Sequence, residues 1–151
     1  VHVPQPHSLT APAETAPAAG ETMDVRFEAG ERYGVTVRGH RFEVDQPIEA
    51  GGEDRAATPT ELFLASLATC VAYYAGRYLT RHGHGREGLG VSLTYRLASD
   101  RPSRVAEIQM TVVVPDDLPT ERWPALRAVV ARCTVHNSIT IPPTIRIELT
   151  T

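Results

Sequence analysis

The amino-acid sequence predicts an α+β fold, with antiparallel strands and segregated helices. Three observations carry that prediction. Short runs near both ends of the chain alternate apolar and polar residues. A long apolar run between them opens with a helix-capping signature. A second helical stripe follows another pair of strand-like runs.

The elements follow in order. Val25 and Phe27 alternate with polar neighbours, as do Val35 and Val37 and then Phe42 and Val44, which predicts three strands. Gly39-His40 stands where a hairpin turn belongs. Residues 46–57, with Gly51-Gly52, form a loop in this reading. Thr58-Pro59-Thr60-Glu61 then places Thr58 at an N-cap, Pro59 at the first helical position and Glu61 three residues on, the pattern of a capping box. The helix is expected to run to about Arg81, with His82-Gly83-His84-Gly85 ending it. From Leu62 to Ala75 it is apolar nearly all round, so it is expected to be buried on most sides. A monomer of this size has difficulty covering a helix about 30 Å long on every side. A dimer that packs it centrally solves the problem.

Strands resume at 91–97 and 105–114. A second helix follows Leu118-Pro119-Thr120, carries Trp123, Leu126, Val129 and Val130 on one stripe, and reaches Cys133 near its C-terminal end. Pro142-Pro143 breaks the chain, and 144–149 alternates as a last strand. Residues 1–22 are rich in Pro, Ala and Thr and poor in large apolar residues, which predicts a flexible tail. The patterned domain is expected over 23–151, and Met23 is a candidate natural start.

The chain has 151 residues, which suits one domain able to bury a core without disulfide staples. Its net charge of −3 argues against a nucleic-acid surface, which needs a basic face. Every basic residue is Arg, which excludes lysine-based catalysis. No run is expected to cross a membrane uninterrupted: residues 61–79 come closest, and Glu61 and Arg77 stand in or beside that run. The first residues lack the basic start and apolar block of a secretory signal, so a cytoplasmic location is expected. There is no phosphate-binding Gly loop, no dinucleotide fingerprint and no G-x-S-x-G turn. His82 and His84 lack converging ligands nearby and are taken as a solvated helix end rather than a metal site.

Two cysteines remain, Cys70 within the long helix and Cys133. A pair of thiols outside an oxidising compartment is catalytic, buried or idle. A thiol peroxidase needs one thiol to attack the O–O bond and a second to condense with the sulfenic acid formed. It also needs a cation or helix dipole to ionise the first. Buried cysteines serve equally as small core hydrophobes. Tyr73, Tyr74 and Tyr78 on the same helix are core residues by default, with Tyr73 or Tyr74 available to line a pocket. His136 and Asn137 either hydrogen-bond around Cys133 or cap a helix end.

The segment from Thr58 to Cys70 resembles the P-x-E-L…A-x-x-x-C helix of the OsmC/Ohr family (osmotically inducible protein C / organic hydroperoxide resistance). Cys133-Thr134-Val135-His136-Asn137 resembles the C-x-V-H-N stretch of an OsmC-like branch, and Gly51-Gly52 resembles a Gly-rich loop that often precedes the helix. The resemblance spans about 24–149. It implies an intertwined α+β homodimer with long helices packed centrally and active sites at the subunit interface. It implies that Cys70 is peroxidatic, Cys133 resolving, and that an Arg in a G-x-R-x-G setting assists the thiol. Gly30-Glu31-Arg32-Tyr33-Gly34 matches that setting, so Arg32 is the candidate, with Arg26 and Arg38 behind it. One departure stands out. Hydroperoxide-reducing members place a Glu directly after the Pro to pair with that Arg; here the position is Thr60, and the acid is Glu61. One residue is about 100° of helix rotation. The expected activity is reduction of an organic hydroperoxide or hydrogen peroxide, reset by a dithiol, with no metal or organic cofactor. The competing expectation is a non-catalytic dimer on the same scaffold that holds an apolar small ligand at its interface.

Overall fold

The computed structural model describes residues 22–151, so residues 1–21, and with them nearly all of the expected tail, lie outside the described residues. The described residues divide into two compact units, 22–56 and Ala57–Thr151.

In the first unit, β1 (Met23–Ala29), β2 (Arg32–Val37) and β3 (His40–Val44) form an antiparallel sheet in the order β1-β2-β3. Val35 sits opposite Val25 on one side and Phe42 on the other, so the alternating apolar residues register across the three strands. The β2–β3 turn is Arg38-Gly39, one residue earlier than predicted. Both residues take positive φ, 56° and 129°, as two-residue hairpin loops demand. Val35 and Val44 are buried beside Asp45. The Asp45 carboxylate accepts backbone N–H groups from Gln46 at 2.8 Å and from Glu53 and Arg55 at 3.1 Å each. It thereby ties down the loop that carries a 3₁₀ turn over Ile48–Ala50. The Arg55 N–H is the main cause that holds this carboxyl below its ordinary range. Burial opposes it, and the Gln46 and Glu53 N–H groups and the Arg32 charge reinforce it. Gly52 is obligatory here, because a Cβ would run into the backbone of Gln46 and the Asp45 carboxylate.

In the second unit, α1 (Pro59–Arg81) starts as predicted. Thr58 Oγ1 accepts the Glu61 N–H at 3.2 Å while Glu61 Oε2 accepts the Thr58 N–H at 2.8 Å, the complete capping box. By length and composition α1 does reach what a bilayer span needs, contrary to the sequence expectation. Its buried row is spent on a protein core instead: Leu64, Leu67, Val71, Ala75, Tyr78 and Leu79 face inward. Burial on most sides is not what a single chain gives, since Phe63 and Tyr73 remain 41% and 55% exposed. The antiparallel hairpin of β4 (Gly90–Leu97) and β5 (Val105–Val113) lies against α1. Ile108, Met110 and Val112 repeat at period two on β5 and line the floor under Leu67 and Val71.

Two sequence expectations fail beyond β5. The second helix is not continuous to Cys133: α2 (Trp123–Val130), preceded by a 3₁₀ turn over Thr120–Arg122, stops, and α3 (Thr134–Thr140) begins anew. The fold is therefore α+β with antiparallel sheets and three helices. The predicted last strand, 144–149, joins neither sheet. Its alternation is intact, with Ile145, Ile147 and Leu149 exposed at 78%, 84% and 95%, but a strand exists only where a neighbouring edge completes its hydrogen bonds.

Candidate functional site

The two cysteines, 63 positions apart in sequence, meet in one apolar cluster with Leu67 and Val71. Cys70 projects from the middle of α1 on the row that carries Leu67, Val71 and Tyr74, because residues three and four apart share a helix face. It is half-buried, whereas Cys133 is fully buried, and both thiols are free. Cys133 is the N-cap of α3. Its backbone is extended (φ −65°, ψ 149°), and its Sγ accepts the His136 N–H at 3.4 Å. A thiol thus fills a place that Ser, Thr, Asp or Asn usually takes. The capping is what breaks the chain between α2 and α3 and turns Sγ towards α1. Tyr74 OH and Thr134 Oγ1, 3.2 Å apart, bind α3 to α1 one turn beyond Cys70. Asn137 Nδ2 donates to the Arg132 carbonyl at 3.1 Å and closes the α2–α3 junction. His136 thus meets the Cys133 sulfur through its backbone N–H, and Asn137 meets the end of α2 through its side chain.

Burial pushes the Cys133 thiol up. The His136 N–H, and more weakly that of Val135, pull the other way, and the hydrogen bond and charge of Cys70 push it up further. Cys133 is held as a neutral thiol beside Cys70.

Arg32 belongs to the first unit. Its Nη1 donates to Glu53 Oε2 at 3.3 Å, and its Nε stands 3.9 Å from Glu28 Oε2. The Nε is buried and has no acceptor within hydrogen-bond distance. Glu28 also pairs with Arg41, and that pair lies across Gly34, where a Cβ would clash with it. The acids around Arg32 are thus Glu28 and Glu53, neither of which the sequence pointed to. Glu61 is engaged in the α1 capping box, and its carboxyl is held below the ordinary range by the Thr58 N–H first and the Thr58 side chain second. Among the described residues no group of three or more His, Cys, Asp or Glu converges as a metal site.

A half-buried thiol on a helix, backed by a buried neutral thiol and floored by an apolar sheet, defines a thiol-pair α+β domain. The sequence profile of the family described as OsmC-like protein matches residues 51–148. The chain belongs to that family. A search of curated proteins finds no match. Among solved structures, an osmotic stress and detoxification response protein of Psychrobacter arcticus 273-4 superimposes with a TM-score of 0.73 at 22% identity, over 82% of this chain and 91% of that one. An organic hydroperoxide resistance protein OsmC of Legionella pneumophila gives 0.58 at 19% identity, over 80% and 88%. An OsmC-like protein of unknown function from Vibrio cholerae gives 0.63 at 10%, over 80% and 94%. At such identities the likeness shows a shared fold.

Proposed function

We propose that this protein is a cytoplasmic two-cysteine hydroperoxide reductase. The observation that carries the reading is the meeting of Cys70 and Cys133 in one apolar cluster, one thiol half-buried and the other buried. The Cys70 thiolate attacks the distal oxygen of a hydroperoxide. The O–O bond breaks, Cys70 becomes a sulfenic acid, and the alkoxide leaves as an alcohol after taking a proton. Cys133 then condenses with the sulfenic acid, releasing water and forming the disulfide. A dithiol returns two electrons and two protons and is itself oxidised. Apolar Leu67, Val71 and Met110 around the sulfurs favour an organic peroxide over hydrogen peroxide.

Arg32 is the proposed cation for Cys70, supported by its unspent Nε–H and by the two carboxylates that fix its guanidinium. We assign Glu61 a place in the same machinery as the cap that fixes the start of the Cys70 helix. The working form in this reading is a homodimer. Exposed Met23, Val25 and Phe27 on β1, Phe63 and Tyr73 on α1, and the alternating Ile145, Ile147 and Leu149 support it, because rows of exposed apolar residues call for a partner surface.

The test is to titrate the reduced protein with cumene hydroperoxide and with hydrogen peroxide, counting thiols and weighing the product. Loss of both thiols with an intramolecular disulfide, abolished in Cys70→Ser and replaced by an oxygenated Cys70 in Cys133→Ser, is expected. The organic peroxide should react faster. Thiols that stay reduced under excess peroxide would reject the reading.

A further inference from the structure

A cavity of about 380 Å³ opens between the C-terminal half of α1 and the end of α2. Tyr74, Tyr78 and Val129 supply its apolar wall. Arg77, Arg81 and Arg132 stand around it. Its size lies within the range of small-molecule sites.

What sets the cavity apart is that three arginines gather at one apolar wall. Arg32, Arg41, Arg55, Arg96 and Arg104 each pair with a carboxylate, whereas Arg26, Arg38, Arg86, Arg101, Arg122 and Arg127, outside the cavity, pair with none among the described residues. Arg77, Arg81 and Arg132 pair with none among the described residues, and no acid lines the cavity. Arg77 is held over the Tyr73 ring at 5.7 Å. Two helix ends lie nearby, α1 closing at His82 and α2 at Ala131. Each carries roughly half a negative charge, so together they offset about one of the three guanidinium charges. An excess of about two positive charges remains around an apolar wall.

We infer that this cavity binds an amphipathic carboxylate. The acid engages the guanidiniums, whose planar forks match a carboxylate, and the apolar body lies against Tyr74, Tyr78 and Val129. A bare inorganic anion leaves that wall unmatched. A nucleic acid requires an extended basic surface, which a chain of net charge −3 does not offer. Tyr74 also packs in the cysteine cluster and binds α3 through Thr134. The inference therefore deepens the proposed function by placing an acid-anchored ligand beside its thiols, although binding itself needs no thiol chemistry.

The experiment is calorimetric titration of the reduced full-length protein, without peroxide, using octanoate, 1-octanol and inorganic phosphate. Octanoate should bind once per chain and about tenfold or more tighter than octanol. Added NaCl should weaken octanoate and leave octanol unchanged. Arg81→Gln combined with Arg132→Gln should remove the advantage of octanoate with helical circular dichroism retained, while Arg122→Gln, outside the cavity, should keep it. Equal binding of octanoate and octanol, phosphate binding as tight as octanoate, unaltered binding in the double variant, or no binding would each overturn the proposal. The outcome is separable from the peroxide titration: inert thiols leave a filled cavity standing, and an empty cavity leaves the thiol cycle standing.

Discussion

Asp45 in the first unit and Cys133 in the second are the same kind of device with opposite outcomes. Each is a buried, ionisable side chain that folds back to accept backbone N–H groups, and each organises the chain that follows it. Asp45 is 1% exposed and takes three N–H bonds; Cys133 is 0% exposed and takes its hydrogen bond from His136 at 3.4 Å. Asp45 is driven towards its charged form and Cys133 towards its neutral form. The difference lies in the count and quality of donors set against the same loss of water. Three short bonds to a carboxylate outweigh burial, with the Arg32 charge assisting. A long bond to a large, weakly accepting sulfur does not, and a second thiol beside it adds to the deficit. One device stores a charge in order to hold a loop. The other keeps its proton while it caps the start of α3.

The largest effect should come from breaking the first device. Asp45→Ala leaves the amides of Gln46, Glu53 and Arg55 without their acceptor, and buried unsatisfied donors are costly. The Glu53 end of the loop, which holds Arg32, is expected to loosen with it. Thermal denaturation should show a deeper fall in midpoint for Asp45→Ala than for Cys133→Ala or Glu61→Ala. The sign of the pH dependence follows from linkage. The folded carboxyl lies below its unfolded value of about 3.9. Its contribution is therefore present above that pH and is lost as pH falls towards the folded value. Asp45→Asn should flatten the acid edge of the stability profile. An unchanged acid edge in that variant would mean that the Asp45 charge is not what the loop amides hold.

Cys133 should control the opposite edge. Its folded thiol titrates above the unfolded value of about 8.5. Stability is full below that pH and falls as pH rises through the folded value, because the unfolded chain ionises first. Cys133→Ala should lose about 1–2 kcal/mol at neutral pH, from the missing cap and the space left behind, and should flatten the alkaline slope of the reduced protein. Chemical denaturation across pH 7–10, with Cys70→Ala in parallel, measures both. If Cys133→Ala keeps the slope, another group sets that edge.

Which parts of these devices were legible in the sequence depends on the range of the interactions involved. The start of α1 was legible because a capping box is local: Thr58, Pro59 and Glu61 declare it within four residues. The β4–β5 hairpin was legible from alternation. The break before α3 was not, since no Gly or Pro marks 131–133 and the apolar stripe of Leu126, Val129 and Val130 leads straight to Cys133. The signal was a cysteine acting as N-cap, a role rarely assigned to a thiol. The partners of Arg32 were hidden for a different reason. Glu28 reaches it across a hairpin turn and Glu53 along a loop pinned by Asp45, contacts that only tertiary structure creates. The segment 144–149 was correct in pattern and wrong in state, because a strand is a property of two chains of peptide groups and the sequence describes one.

Glu61 sharpens the comparison at its weak end. Like Asp45 it is a carboxylate that accepts a backbone N–H, and like Asp45 it is held below its ordinary range. Unlike Asp45 it stands at the surface, at the first turn of a helix, where water replaces a lost partner at little cost. Its removal should therefore cost little: about 0.5–1 kcal/mol for Glu61→Ala, and less for Glu61→Gln, which keeps an acceptor for the Thr58 N–H. The same pair of variants separates a cap from a catalytic acid. A cap predicts that the rate of Cys70 oxidation by cumene hydroperoxide stays within about twofold of wild type in Glu61→Gln, because the helix start and the position of Cys70 are kept. A carboxylate that pairs with the activating Arg predicts a fall of about tenfold or more in Glu61→Gln, since an amide holds the geometry but not the charge. The acids in place around Arg32 are Glu28 and Glu53, so the small effect is the expected one. A large loss on Glu61→Gln with stability preserved would instead assign Glu61 to the reacting site.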